Sequence, residues 1–339
     1  MSSLSEANTR FAYDLFQQFR QSEKENIFYS PLSITSALAM TYLGSRGQTA
    51  STMQKVLHFN EVTENTKGEA TKVPVEKSGD VHYQFQKLLT ELNKPTDDYE
   101  LNIANRLYGE KKFQFLQEYK NNVKKFYLAS VESVDFVNAA EESRMMINSW
   151  VESQTNEKIK NLFPEDSLDS STILVLVNAV YFKGQWNEKF DPKNTEQGEF
   201  WQNKLEDQLT AEKLIEWTSS QNMSKRKVEL RLPRFKVEES YALEDTMRAL
   251  GMGNAFTPGD ADFSGMTGSR GFVLSQIVHK SFVEVTEEGT EAAAATGIVI
   301  GRTSVQMYER FHCDHPFLFF IKHNETNSIL FFGRISTPD

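Results

Sequence analysis

A run of eleven residues, TILVLVNAVYF from Thr172 to Phe182, constrains the fold more than any other stretch of the chain. It is apolar almost throughout, rich in Val and Ile, and too short to cross a bilayer as a helix. Strands that read this way are buried on both faces, because a strand with one wet face alternates polar and apolar residues. Asn178 is its one interior polar interruption. A buried amide must find hydrogen-bond partners or cost about 1–3 kcal/mol, so Asn178 is expected in a satisfied polar contact within the core.

The segments before this strand read mainly as helices. Ser3-x-x-Glu6 forms a capping-box pattern, and Leu4, Ala7, Phe11, Leu15 and Phe19 recur at three- and four-residue steps on one helical face. Ser30-Pro31 offers a cap with proline at the first helical position, opening a helix that stops at Gly44. Further helices are expected over 49–57, 81–92, 116–126 and 141–155, whereas 61–79, polar and without periodicity, reads as a long surface loop. Later in the chain, 228–232 and 281–285 read as strands, and 317–321 and 329–332 as a closing hairpin around KHNETNS. Helices early and strands late, with no internal repeat and no Gly/Ser-rich linker, imply one α+β domain over 1–339.

Composition removes several functional classes. A chain of 339 residues, 39% hydrophobic and with 25 Phe, has enough apolar surface for a large core. Its net charge of −10 argues against nucleic acid or an anionic membrane as partner. Cys313 is the only cysteine, so no intrachain disulfide forms. The N-terminal MSSLSEANTRF lacks a basic segment followed by an apolar one, so a cytoplasmic monomer is expected, with release without a signal peptide left open. FHCDHP gathers His312, Cys313, Asp314 and His315, but no second Cys or paired His cluster completes a zinc set. No GxSxG, HExxH, Walker or GxGxxG pattern occurs. His279, beside a strand, reads first as a structural hydrogen-bonder, and Glu287 and Glu288 as solvated charges. No enzyme activity, metal or cofactor is expected.

One segment resists these ordinary readings. EEGTEAAAATG, Glu287 to Gly297, contains four consecutive alanines, which favour helix by propensity. Yet it follows the strand-like VHKSFVEV and leads into GIVIGRTSVQ, which has no helical period. It resembles the proximal hinge of the reactive loop of the serpins, and FHCDHPFLFFI resembles their C-terminal signature. NIFYSPLSITSALAM, NAVYFKGQWNEKF, LPRFKVEESYALEDTMRALGM and ADFSGMTGSRG are similar to serpin blocks in the family's order along nearly the whole chain. SVESVDF, INSWVESQTNEKIKNLFPE and LTAEKL resemble the squamous cell carcinoma antigen group of the intracellular, ovalbumin-type clade.

The resemblance implies a serpin fold, with helices packed on a large central sheet, smaller sheets beside it, and an exposed reactive loop over about 287–310. It also implies a suicide substrate: a protease cleaves the loop, and the hinge then inserts into the central sheet as a new strand. Such a segment must carry no proline and no bulky residue that jams between packed strands. Gly289 supplies the pivot, Thr290 is a small first inward residue, and Ala292, Ala293, Ala294 and Ala295 fit a sheet interior. Glu291 and Thr296 are free to point outward. Counted from the hinge, the cleaved bond is Thr303–Ser304; counted from the C-terminal side, it is Arg302–Thr303. Arg302 as specificity residue suits a trypsin-like serine protease with an acidic pocket, and Thr303 leaves a papain-like cysteine protease open. Ser30, Ser33, Asn178 and His279 match the family's polar cluster behind the opening sheet. Trp186, with Gly184 beside it, matches the aromatic residue where insertion begins. One departure stands out. EFWQNK passes almost directly into LEDQLTAEKL near Lys204–Leu205, where the family has several further strands. Part of the smaller sheets is therefore expected to be missing.

Overall fold

The computed structural model describes residues 2–22, 25–65, 80–200, 208–287 and 309–338. Of the expected features, Gly289 to Thr296, the bonds at 302–304 and the Lys204–Leu205 junction lie outside the described residues.

The first helix, α1 (Ser3–Ser22), buries Leu4, Ala7, Phe11, Leu15 and Phe19 along the expected face. Its cap lies one residue earlier than the capping-box pattern suggests. The Ser2 hydroxyl accepts from the Ser5 N–H at 3.2 Å. Glu6 pairs instead with Arg10 at 3.1 Å, one turn along. α2 (Pro31–Gly44) starts where expected, with Ser30 as its cap and Pro31 at its first position. Gly44 in its last turn leaves no room for a side chain, since a Cβ there would collide with Met266 Cγ, and the Ser45 N–H donates to the Tyr42 carbonyl at 3.0 Å as the helix ends. α3 (Gly47–Val56), α4 (Phe59–Asn65), α5 (Val81–Leu92), α6 (Gln117–Tyr127) and α7 (Phe136–Gln154) complete the helices of the first half. Among the described residues no helix is long and apolar enough to cross a membrane.

The first half is less purely helical than its pattern suggests. β1 (Ile27–Tyr29), β2 (Tyr99–Glu110) and β3 (Ser130–Val134) all precede the apolar run, and β2 is among the longest strands described. The run itself forms β4 (Leu174–Gly184), followed by α8 (Ala211–Thr218), β5 (Val228–Arg231), β6 (Phe235–Ala242) and β7 (Leu274–Val285). β8 (Glu309–His312) then leads to the hairpin β9 (Phe317–His323) and β10 (Ser328–Ile335). The 281–285 expectation catches only the last five of the 12 residues of β7, because its first half carries Ser275, Gln276 and His279 and does not read as an apolar run.

Three sheets result among the described residues. The largest has the order β3-β2-β4-β7-β6; the others are β1-β10-β9 and the ribbon β5-β8. β4 is the centre of the five-stranded sheet, antiparallel to β2 from Tyr99↔Gly184 to Gly109↔Leu174 and parallel to β7 from Leu174↔Leu274 to Tyr181↔Phe282. Its odd-numbered side chains, Val175, Val177, Ala179 and Tyr181, pack with Phe136, Ile147 and Val151 of α7. The even-numbered Leu174, Leu176 and Val180 enter the larger core with α1, α2 and the three-stranded sheet. Each face of β4 thus has its own covering layer, which is why the run is apolar at both parities.

Candidate functional site

The even face of β4 carries Asn178, and register builds a polar row around it. Asn105 on β2 lies opposite Asn178, Asn178 opposite His279 on β7, and His279 opposite Tyr241 on β6. The row faces the N-terminus of α2. Ser30 N–H donates to His279 Nε2 at 3.0 Å, and Ser30 Oγ donates to the Leu330 carbonyl at 2.6 Å. Asn178 Nδ2 donates to Ser33 Oγ at 2.5 Å and also to Asn105 Oδ1. Asn105 Nδ2 continues to Ser36 Oγ at 2.8 Å. On β7, Ser281 Oγ donates to the Phe28 carbonyl at 2.9 Å, tying the five-stranded sheet to β1.

These contacts set the state of His279. Because Nε2 accepts from a backbone N–H, the ring proton sits on Nδ1 and is donated to Asn178 Oδ1. The ring is fully buried, and desolvation lowers its pKa from 6.5 to about 3. It is neutral at physiological pH, and both nitrogens are engaged. That geometry suits a seam holding two strands together, and it leaves no nitrogen free to act as a general base. The sequence-derived residues Ser30, Ser33, Asn178 and His279 therefore do meet in one network. Asn105, Ser36, Tyr241 and Ser281 belong to it as well and were missed. The signal available for Asn105 was an Asn within YELNIANRLYG, which becomes informative only once its partner strand is known.

A second group sits at the exit of β7. Trp186 Nε1 donates to the Thr286 carbonyl at 2.9 Å, and its ring meets Phe190 edge-on at 5.6 Å. Phe190 N–H donates to the Glu287 carbonyl at 2.9 Å. The Glu287 carboxylate accepts from its own backbone N–H and from Thr195 Oγ1 at 2.8 Å, with Arg234 at 3.5 Å. These contacts, its own N–H first, lower its pKa. Glu287 is thus held at the exit of β7, just before the alanine-rich stretch in the sequence. The adjoining cavity, about 960 Å³, is lined by Phe190, Leu230, Arg234, Glu287 and Cys313 among others. Burial raises the Cys313 thiol pKa, contrary to what a reactive thiolate needs. Among the described residues no group of three His, Cys, Asp or Glu side chains is placed to hold a metal ion.

Comparison with known proteins gives one consistent picture. The model of the family described as Serpin (serine protease inhibitor) matches residues 6–204 and 202–338, two stretches that meet beside Lys204. Human Serpin B3 is 57% identical over 391 aligned positions, covering all of both chains, although this chain has 339 residues. Human Serpin B13 is 48% identical over the same span. The crystal structure of uncleaved ovalbumin superposes with a TM-score of 0.84 at 33% identity, covering 99% of this chain and 100% of that one.

Proposed function

The chain belongs to the serpin family, and from that premise we propose that it inhibits a protease as a suicide substrate whose cleaved loop inserts between β4 and β7. The observation that carries this reading is the seam between those strands. β4 and β7 run parallel and pair directly through Tyr181↔Phe282, with the Asn178–His279 contact near its middle. A segment leaving β7 at Glu287 and folding back between them would run antiparallel to both. One parallel pairing would then be replaced by two antiparallel ones, which are slightly more stable per residue. Gly289, Thr290 and Ala292 to Ala295 offer side chains small enough to enter such a seam. Separating the strands exchanges the buried hydrogen bonds of Ser30, Ser33, Asn178 and His279. Trp186, which holds Thr286, sits where the new strand would start.

The target is a trypsin-like serine protease if Arg302 precedes the cleaved bond, or a papain-like cysteine protease if Thr303 does. Incubation with trypsin and with papain, followed by denaturing electrophoresis and mass spectrometry of the released peptide, separates the two bonds. A denaturant-resistant complex is the expected result with one of them. Thr290→Arg should leave cleavage intact while abolishing that complex, because a long charged side chain cannot enter the sheet interior without losing its hydration. A Thr290→Arg variant that traps protease at the parental stoichiometry would sink the insertion mechanism.

A second reading is favoured by the alignment length and by the two matched stretches meeting at 202–204. On this reading the strands absent near Lys204 leave a serpin-like protein that binds without trapping. If exposure of remaining strands reaches about 400 Å² of apolar surface, the cost is on the order of 10 kcal/mol, comparable with the whole stability of a domain. Cleavage by both proteases with no stable complex from either is the outcome that selects it.

A further inference from the structure

Beneath α7 lies a guanidinium that its surroundings do not neutralise. Arg106 and Tyr108 share one face of β2, and the strand register sets Ser130 of β3 opposite Arg106. α7 covers that face, where Ala104, Tyr108 and Val134 pack with Ile147 and Val151. The Arg106 guanidinium stacks on the Trp150 ring of α7 at 4.0 Å from its centroid, with the Tyr108 ring at 5.9 Å. Trp150 meets Tyr108 edge-on at 6.2 Å and closes the group. Arg106 Nε, Tyr108 Oη and Ser130 Oγ are all buried without a hydrogen-bond partner among the described residues. Nor does Arg106 form an ion pair among them. Tyr108 is 1% exposed, and burial pushes its pKa up to about 12 against the opposing pull of Arg106. Its hydroxyl therefore keeps its proton and is available as a donor. Glu132, exposed and opposite Tyr108 in the register, acts on the same group from β3.

We propose that Arg106, Tyr108 and Ser130 hold a small inorganic anion of chloride size, which fastens α7 to β2 and β3. The chemistry of the lining selects the occupant. A guanidinium only donates, and both hydroxyls have a proton to give. A buried charge is costly until it is paired, and a stacked indole offsets only part of that cost. A water molecule would satisfy the hydroxyls and leave the positive charge unpaired. The rings of Tyr108 and Trp150 already meet, which favours a monatomic ion over a tetrahedral one. The site lies on the opposite face of the sheet from the Asn178–His279 row, so it stands whether or not the chain traps a protease.

Bromide soaked into crystals of the full chain tests the proposal by anomalous scattering. A peak is expected within hydrogen-bond reach of Arg106, Tyr108 and Ser130. In solution, the melting temperature should rise saturably as chloride replaces gluconate at constant ionic strength, because a ligand of the folded state stabilises it. Tyr108→Phe should weaken the apparent chloride affinity about tenfold through the loss of one bond to a charge. Arg106→Gln should abolish the chloride dependence, and Glu132→Gln, which removes a competing carboxylate, should strengthen it. Circular dichroism checks folding, and should Arg106→Gln fail to fold, the other two variants still decide. If Tyr108→Phe keeps the parental chloride dependence, the proposal fails. Ordered water in place of bromide, or the Glu132 carboxylate turned onto Arg106, overturns it too. So does a bromide peak with no chloride dependence in solution, which marks an adventitious ion only.

Discussion

β4 and β9 are both dense apolar strands, yet the fold treats them differently. β4 has a neighbour on each side and a layer on each face, and Leu174 to Tyr181 are all buried. β9 has faces covered in part, Phe319 against Phe28 at 5.8 Å and Phe320 against Phe332 at 5.0 Å, but a strand on one side only among the described residues. The difference teaches that an apolar strand sequence asks for burial without specifying who provides it. The five-stranded sheet answers within the chain. In the three-stranded sheet the described residues place a strand on one side of β9 only.

The most direct way to sharpen this contrast is the same substitution at both places. Leu176→Ala, at a position fully buried, should cost about 2–5 kcal/mol, because the rigid surroundings keep the cavity. Leu318→Ala, half-buried at the edge, should cost about 1 kcal/mol, since its neighbours and water can fill the gap. Urea unfolding midpoints of the two variants, compared at equal protein concentration, read the difference. Equal costs would break the comparison.

Acidification probes the five-stranded sheet next. The folded pKa of His279 is lowered to about 3, so between that value and the unfolded 6.5 the unfolded chain binds the proton and the folded one does not. His279 therefore contributes stability that is fully present above pH 6.5 and is lost as pH falls toward 3. Between about pH 7 and about pH 4 the loss should be roughly 3 kcal/mol. His279→Gln is expected to flatten that dependence while lowering stability at neutral pH. An unchanged slope in the variant would mean that His279 does not carry the acid sensitivity.

The smallest effect is expected on the ribbon. Phe311→Ser removes a large aromatic that is already 61% exposed, and should shift stability by no more than about 0.5 kcal/mol. A calorimetric melt that fell by many degrees would show that Phe311 is covered in solution, and would erase the distinction between the two regions.

Local chemistry made several elements readable before any contact was known. Ser30 and Pro31 place the start of α2, the three- and four-residue steps of α1 name its buried face, and KHNETNS marks the turn between β9 and β10. These signals act within one turn of helix or one hairpin, so neighbouring residues carry them whole. β2 escaped because YELNIANRLYGE mixes Asn, Arg and Glu with its apolar residues, and only the strands on either side make it a central strand. The small side chains of Gly289 to Thr296 lie outside the described residues, so they are no measure of this legibility, and Ser30, Ser33, Asn178 and His279 were gathered by family resemblance alone.

What the sequence determined by itself was therefore demand: a doubly buried strand at Thr172–Phe182, a polar group within it needing partners, and helices with one apolar face each. Tertiary structure decided supply. Whether Asn178 meets Ser33, Asn105 and His279, and whether Glu287 meets Thr195, depends on residues tens to hundreds of positions apart arriving in one register. A shift of one residue along β4 would turn Asn178 toward α7 and put Val177 or Ala179 beside the α2 cap, and nothing in the local pattern forbids that. The choice is made by the summed burial of both faces, a quantity that exists only once the layers have met.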